Sequence, residues 1–258
     1  MNLKRPRWHA IVTAIFSFLV EFLLFGAPAR AEKDPPGSAK AVAQLLEDHY
    51  RHAQTLRAVF LERYSAGPRE ARTESGTVYF RRPGRMRWEY EAPEKKLFLA
   101  DGKTVWFYVP ADRTVTKARV SESSDWRTPL GLLTGKANLS RLCRRIDVIV
   151  QKTTPAGHTV LRCLPKGEKD SKPEAGASSS QDSTDLPGAV DFTEVLLEVD
   201  SSTGELSSVR IRQAGGIEME YRFGDWQQGL PLPEEMFQFT PPLGVAIVDG
   251  SALSKASH

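Results

Sequence analysis

The strongest constraint on this chain is a long succession of short segments in which apolar and polar residues alternate, with turn signals between them. The segments are "LRAVFLERY", "SGTVYFRRP", "GRMRWEYEAP", "KLFLAD", "TVWFYVP", "RTVTKARV", "RIDVIVQK", "HTVLRCL", "TEVLLEVD", "LSSVRIRQ" and "GIEMEYRF". Side chains alternate faces along extended backbone, so several of these segments offer one apolar and one polar face. Met86, Trp88 and Tyr90 oppose Arg87, Glu89 and Glu91, while Ile217, Met219, Tyr221 and Phe223 oppose Glu218, Glu220 and Arg222. Links such as "RPG", "ADG", "PADR", "PAG", "SSTG" and "AGG" are too short for a βαβ crossover, so sequence neighbours pair antiparallel. The chain is mainly β with α, and the count of segments predicts about 10–11 strands.

Helical patterns are few. Ser38 is a candidate N-cap for a helix from about Ala39 to Ala53, with Val42, Leu45, Leu46 and His49 on one stripe at i, i+3, i+4 and i+7. In "DWRTPLGLLTGKAN", Thr128 can cap, Pro129 can open and Gly135 can end a helix of one or two turns carrying Leu130, Leu132 and Leu133. A short leucine-rich helix in a connection suggests a plug or lid.

The first 31 residues stand apart. Lys4, Arg5 and Arg7 precede the apolar run "AIVTAIFSFLV", and "ARA" offers a small-x-small cleavage site near Ala31. This predicts a secretory signal over 1–31 and an exported domain over 32–258. Glu21 interrupts the apolar run, which falls short of the roughly 20 residues that a membrane span needs. Lys4, Arg5, Arg7 and Arg30 against Glu21 account for the whole formal surplus of +3, so the rest of the chain is neutral. A neutral exported domain has no general field for nucleic acid. The segment "KGEKDSKPEAGASSSQDSTDLP", 166–187, lacks aromatic residues and has almost no aliphatic ones, so it is expected to be a disordered surface insertion.

Cys143 and Cys163 flank a predicted hairpin, and in an oxidising compartment a disulfide between them is expected, with two buried thiols as the alternative. Neither lies near the cleavage site, so the protein itself should carry no lipid-modified cysteine. The sequence shows no H-E-x-x-H, G-x-S-x-G, P-loop or C-x-x-C motif. His49 and His52 share a helix face without an evident third ligand. No enzyme activity, metal or cofactor is expected.

The stretch "SGTVYFRRPGRMRWEYEAPEKKLFLADGKTVWFYVP" resembles the LolA-type outer-membrane lipoprotein carriers in its Gly-x-x-x-x-x-Arg-Pro, Phe-x-Trp and Asp-Gly-Lys-x-x-Trp-x-Tyr-x-Pro pattern of strands. "TPLGLLTG" continues the resemblance weakly, and the closing "FQFTPPLGVAIVD" is similar to the family's Phe-x-Pro-Pro-x-Gly-Val segment. The likeness spans about Lys40 to Asp249. Met86 stands where the family often has Phe, Val109 where Asp or Asn is usual before proline, and Thr114 replaces a common Gln.

The resemblance implies a single incomplete antiparallel β-barrel, covered by the N-terminal amphipathic helix and the short lid helix. It implies a periplasmic chaperone that binds the acyl chains of lipoproteins in an apolar cavity and carries them from the inner to the outer membrane. The partners would be acylated lipoproteins, an inner-membrane ABC-type release complex and an outer-membrane acceptor, with the carrier a monomer. Met86, Trp88, Tyr90, Ile217, Met219, Tyr221 and Phe223 are then the expected cavity wall. Leu45, Leu46, Leu130, Leu132 and Leu133 form the expected lid, which Arg82 holds closed, as the resemblance implies for the Arg of the Arg-Pro step. A periplasmic lipid-binding or envelope-stress sensing module is the alternative. An exported hydrolase would need a nucleophile and base that the sequence does not show.

Overall fold

A computed structural model of the chain describes residues 37–67, 71–120, 130, 132–135, 138–166 and 192–250. The predicted signal segment, nearly all of the 166–187 insertion, and Thr128 and Pro129 lie outside the described residues.

The elements are α1 (Ala39–Arg51), β1 (Thr55–Ala66), β2 (Ala71–Arg81), β3 (Arg85–Ala92), β4 (Lys96–Ala100), β5 (Thr104–Val109), β6 (Thr114–Arg119), α2 (Leu139–Leu142), β7 (Cys143–Ile149), β8 (His158–Pro165), β9 (Phe192–Asp200), β10 (Leu206–Gln213), β11 (Ile217–Gln228) and β12 (Ala246–Asp249). All strands form one sheet in the order β12-β6-β5-β4-β3-β2-β1-β11-β10-β9-β8-β7. The sheet does not close, because β12 and β7 end it. Strand order follows chain order except at its centre, where β1 pairs with both β2 and β11, and at one edge, where β12 joins β6.

Two expectations need correction. Among the described residues there are 12 strands rather than about 10–11, and β12 pairs with β6 in parallel. The sequence hid β12 because a four-residue strand, Ala-Ile-Val-Asp, has no room to show alternation. Its parallel sense follows from the long connection after β11, which crosses the sheet before joining its far edge.

That connection also covers the second face of the sheet. A 3₁₀ turn at Glu234–Phe237 buries Phe237, and the Met236 carbonyl accepts from Arg87 Nη1 at 2.9 Å. Phe239 lies 5.6 Å from the Trp106 ring. Strand β5, "TVWFYV", is half-buried at every position, which is why it reads as almost continuously apolar.

The first face carries the main core. The ladder Ala58, Val78, Trp88, Phe98 and Phe107 runs across five strands, each residue opposite the next. Gly76 stands between Phe60 on β1 and Tyr90 on β3 at a register shift. A Cβ there would sit 1.9 Å from the Glu89 carbonyl oxygen, so β2 and β3 approach this closely only with glycine.

Helix α1 lies on this face. Ser38 caps it, its side chain accepting from Ala41 N at 3.2 Å. The buried stripe is Val42, Ala43, Leu46 and Tyr50, with Leu45 half-buried and His49 bonded through Nδ1 to the Thr203 carbonyl at 2.8 Å. The stripe is thus rotated from the expected Val42, Leu45, Leu46 and His49, because Tyr50 anchors the last turn. Its hydroxyl accepts from the buried Leu206 N–H at 3.0 Å, and Trp226 Nε1 donates to the Leu206 carbonyl at 2.8 Å. Burial pushes the Tyr50 hydroxyl well above the ordinary phenol range, so it stays neutral. The helix ends at Arg51, two residues earlier than expected.

Leu130, Leu132 and Leu133 are all buried in the same core. The bonds Leu133 N to Leu130 O and Gly135 N to Leu132 O, at 3.0 and 3.2 Å, are of the i to i+3 type, so the described part of the expected lid helix is a 3₁₀ turn.

Two outcomes check this account. Gly76→Ala should destabilise the protein by about 3 kcal/mol or more in urea unfolding, because neither strand can retreat from its ladder. Tyr50→Phe should cost about 1–3 kcal/mol in the same measurement, since it strands the buried Leu206 N–H.

Candidate functional site

The seven residues expected to wall a cavity come from two strands that are not neighbours in the sheet, β3 and β11. The structure places Met86, Trp88 and Tyr90 on the same face as Ile217, Met219, Tyr221 and Phe223. They meet across β2 and β1: the Trp88 ring lies 5.4 Å from Tyr221, 6.2 Å from Phe223 and 4.8 Å from Phe60. Trp88 and Tyr221 have no exposed surface, and Met86 and Phe223 pack against this cluster from its margin. With α1 and the 130–135 turn seated, the middle of the face is filled by its own aromatic rings and its cover.

Open space survives at the ends of the face. One cavity of about 370 Å³ is bounded by Tyr90, Ile217 and Met219 together with Glu62, Glu74 and Lys96. Glu62 and Glu74 stand directly opposite each other on β1 and β2, both buried. Glu62 accepts from the Tyr90 hydroxyl at 2.7 Å; Glu74 pairs with Lys96 Nζ at 2.5 Å and Arg72 Nε at 3.1 Å. Like charges side by side on an apolar face are unfavourable unless countered, and the two cations and the phenol counter them. The sequence analysis passed over this cluster. Its signal was Glu62, at the inward parity of "AVFLERY" between Phe60 and Tyr64.

Arg82 occupies the hinge between cover and sheet. Its Nη1 donates to the Arg51 carbonyl at 2.8 Å and its Nη2 to the Tyr50 carbonyl at 2.7 Å, both at the last turn of α1. These carbonyls have no partner within the helix, and a guanidinium at the negative end of the helix dipole supplies both hydrogen bonds and charge. Burial lowers the Arg82 pKa from its ordinary value but leaves the group cationic.

Among the described residues the Arg82 guanidinium donates to α1, and the 130–135 turn packs against its stem. Gly135, at φ +73°, leaves room for the arginine stem, and a Cβ there would lie 2.9 Å from Arg82 Cδ. The turn is tied instead by Gly84 N donating to the Thr134 carbonyl at 3.0 Å. Leu45 lies beside the buried stripe, while Leu46, Leu130, Leu132 and Leu133 point into the core.

Cys143 and Cys163 are bonded to each other, with Cα atoms 5.4 Å apart. The disulfide joins the α2–β7 junction to β8. Among the described residues no three histidine, cysteine, aspartate or glutamate side chains cluster as metal ligands.

Against this geometry the comparisons with known proteins are consistent. Residues 51–172 match the family model described as outer membrane lipoprotein carrier protein LolA. An outer-membrane lipoprotein carrier protein of Nitrosomonas europaea is 30% identical over 178 residues, covering 69% of this chain and 73% of that protein. One from Dechloromonas aromatica is 28% identical over 211 residues, covering 81% of this chain and 88% of its own length. A third, from Methylococcus capsulatus, is 26% identical over 236 residues, covering 91% and 97%. With the open sheet, the covered apolar face and this match over most of its length, the chain belongs to the outer-membrane lipoprotein carrier family.

Proposed function

We propose that the protein carries lipoproteins through the periplasm, from an inner-membrane ABC-type release complex to an outer-membrane acceptor, by sheltering their acyl chains against the face lined by Trp88, Tyr90, Met219 and Tyr221. Cleavage near Ala31 would release it as a soluble monomer, and it would act by binding, without catalysis.

The observation that carries this reading is the disparity between a wide apolar face and the slight cover upon it. Among the described residues one 13-residue helix, one 3₁₀ turn and the four-residue α2 cover the face, and polar bonds at their ends fix them there. An acyl chain of some 14 methylenes is worth about 11 kcal/mol when kept from water. Two charge-assisted hydrogen bonds from Arg82 contribute about 1.5–3 kcal/mol each. Lifting the cover is therefore affordable when a chain takes its place, and the returning cover helps to expel the chain once a membrane competes for it.

Met86 and Met219 suit such a wall, because an unbranched thioether adapts to guests of varied shape. The aromatic rings at its centre are held edge to face.

The test adds purified residues 32–258 to energised spheroplasts and follows acylated lipoproteins into the soluble fraction. A one-to-one complex with cargo is the expected result, and its absence with the cognate release complex present would overturn the proposal. Arg82→Leu removes the bonds that favour closure, so the variant should load yet hand its cargo to acceptor membranes at least tenfold more slowly. Unchanged loading and unchanged hand-over would remove Arg82 from the mechanism.

A further inference from the structure

Beneath α2 the main face of the sheet is left partly uncovered. A cavity of about 310 Å³ lies between Leu139 and Leu142 of α2 above and Val195 and Leu197 of β9 below, with Phe192 and the Cys143–Cys163 disulfide at its sides. It lies among α2, β8 and β9, whereas the residues proposed to shelter cargo lie on β3 and β11.

An apolar void normally shrinks as its walls relax, but this one has a roof that cannot settle. Asn138 Oδ1 caps α2 by accepting from Arg141 N at 2.9 Å, and Glu47 of α1 accepts from Leu139 N at 2.7 Å. At the other end Lys166 N donates to the Leu142 carbonyl at 3.0 Å, and the disulfide fixes Cys143 to β8. The roof is held at its ends by directional and covalent links, so its leucines stay above Val195 and Leu197 instead of collapsing on them. The space is at the small end of ligand cavities, enough for one chain and not for two.

Among the described lining residues the charges are of one sign. Arg141 and Lys166 line the mouth. Lys166 Nζ donates one bond to the Ser140 carbonyl at 2.8 Å, which leaves two of its protons to give. The Arg141 guanidinium has no hydrogen bond or ion pair among the described residues. The neighbouring acids are committed elsewhere: Glu47 to the Leu139 N–H, and Asp147 to Arg145 and Arg162 at 2.9 and 3.0 Å.

We infer that this cavity binds a single acyl chain whose anionic head, a carboxylate or a phosphate, is held by Arg141 and Lys166, and that it does so while α1 remains seated. The chain enters between α2 and β9, displacing only water from an apolar space, and the head stays at the surface where both cations reach it. Two sources share this chemistry, a free fatty acid and an anionic phospholipid. The site goes beyond lipoprotein carriage, because it needs neither a protein cargo nor release of the Arg82 bonds.

Calorimetric titration of residues 32–258 with myristate and with myristyl alcohol tests it directly. Myristate should bind one to one, and the alcohol about tenfold more weakly or not at all. Arg141→Gln, an exposed substitution, should weaken myristate about tenfold, and Leu142→Trp should abolish binding by filling the void while the far-ultraviolet spectrum stays unchanged. Vesicles of phosphatidylglycerol and of phosphatidylcholine separate the sources. Retention on the former that Leu142→Trp removes assigns an anionic phospholipid, whereas myristate binding without retention assigns a free fatty acid. Equal affinity for acid and alcohol, indifference to both substitutions, or no binding of either anionic probe overturns the inference. The titrations contain no lipoprotein, so failure of the spheroplast release would leave their result standing.

Discussion

An open sheet with an apolar face must be covered, and here the seating of α1 decides whether it is. The helix meets the sheet through Val42, Ala43, Leu46 and Tyr50, but its position is fixed at one end by polar bonds. The Tyr50 hydroxyl and the Trp226 indole take both backbone groups of Leu206, and Arg82 takes two carbonyls of the helix's last turn. The His49 ring adds a bond to the Thr203 carbonyl from the same turn. Apolar packing alone would allow the helix to slide along the face. The polar bonds at its C-terminal end set one register, and everything that the face can receive depends on that register holding or yielding.

The same division between apolar bulk and polar anchoring recurs at the two other covers. The 130–135 turn buries three leucines but is tied by a bond between Gly84 N and Thr134 O. Helix α2 is too short to be stable alone and stands because Asn138, Glu47, Lys166 and the disulfide frame it. Directional bonds are lost abruptly when a cover lifts, whereas apolar contact can be exchanged for contact with a guest. In the proposed carriage, the closed and open states of such a fold would be separated by a few bonds and not by a core rearrangement.

The strands were legible because alternation is local. Eleven of the 12 described strands stand in the sequence as strand-like segments, several of them cleanly alternating, and the pairing of neighbours followed from their short links. The pairing of β1 with β11 and the return of β12 to β6 were not legible from alternation, since each joins residues more than 100 positions apart. The inward parity of Trp88, Tyr90, Met219 and Tyr221 was read correctly, as it depends on the same period of two. The stripe of α1 was misread because it is decided by a distant partner: Tyr50 faces inward to meet Leu206, and no spacing within the helix announces that bond. Arg82 could be singled out by its motif, but which carbonyls it would hold was a question of tertiary position.

The charged end of the face sets the limit of what the apolar part can do. Glu62 and Glu74 lie on the same face as Phe60, Val78 and Trp88, one or two residue pairs further along β1 and β2. Their carboxylates, with Lys96, Arg72 and the Tyr90 hydroxyl, form a network that is satisfied only if no apolar group intrudes between its members. A hydrocarbon chain advancing along the face from the Arg82 end would pass Trp88 and meet this cluster beside Tyr90 and Met219. Passing it would strip partners from buried charges, at a cost above the gain of about 0.8 kcal/mol for each further methylene. The cluster thus makes the track finite. In the proposed carriage, apolar contact would provide the affinity along the face, the bonds of α1 would control entry at one end, and the buried ion pairs would define the stop at the other.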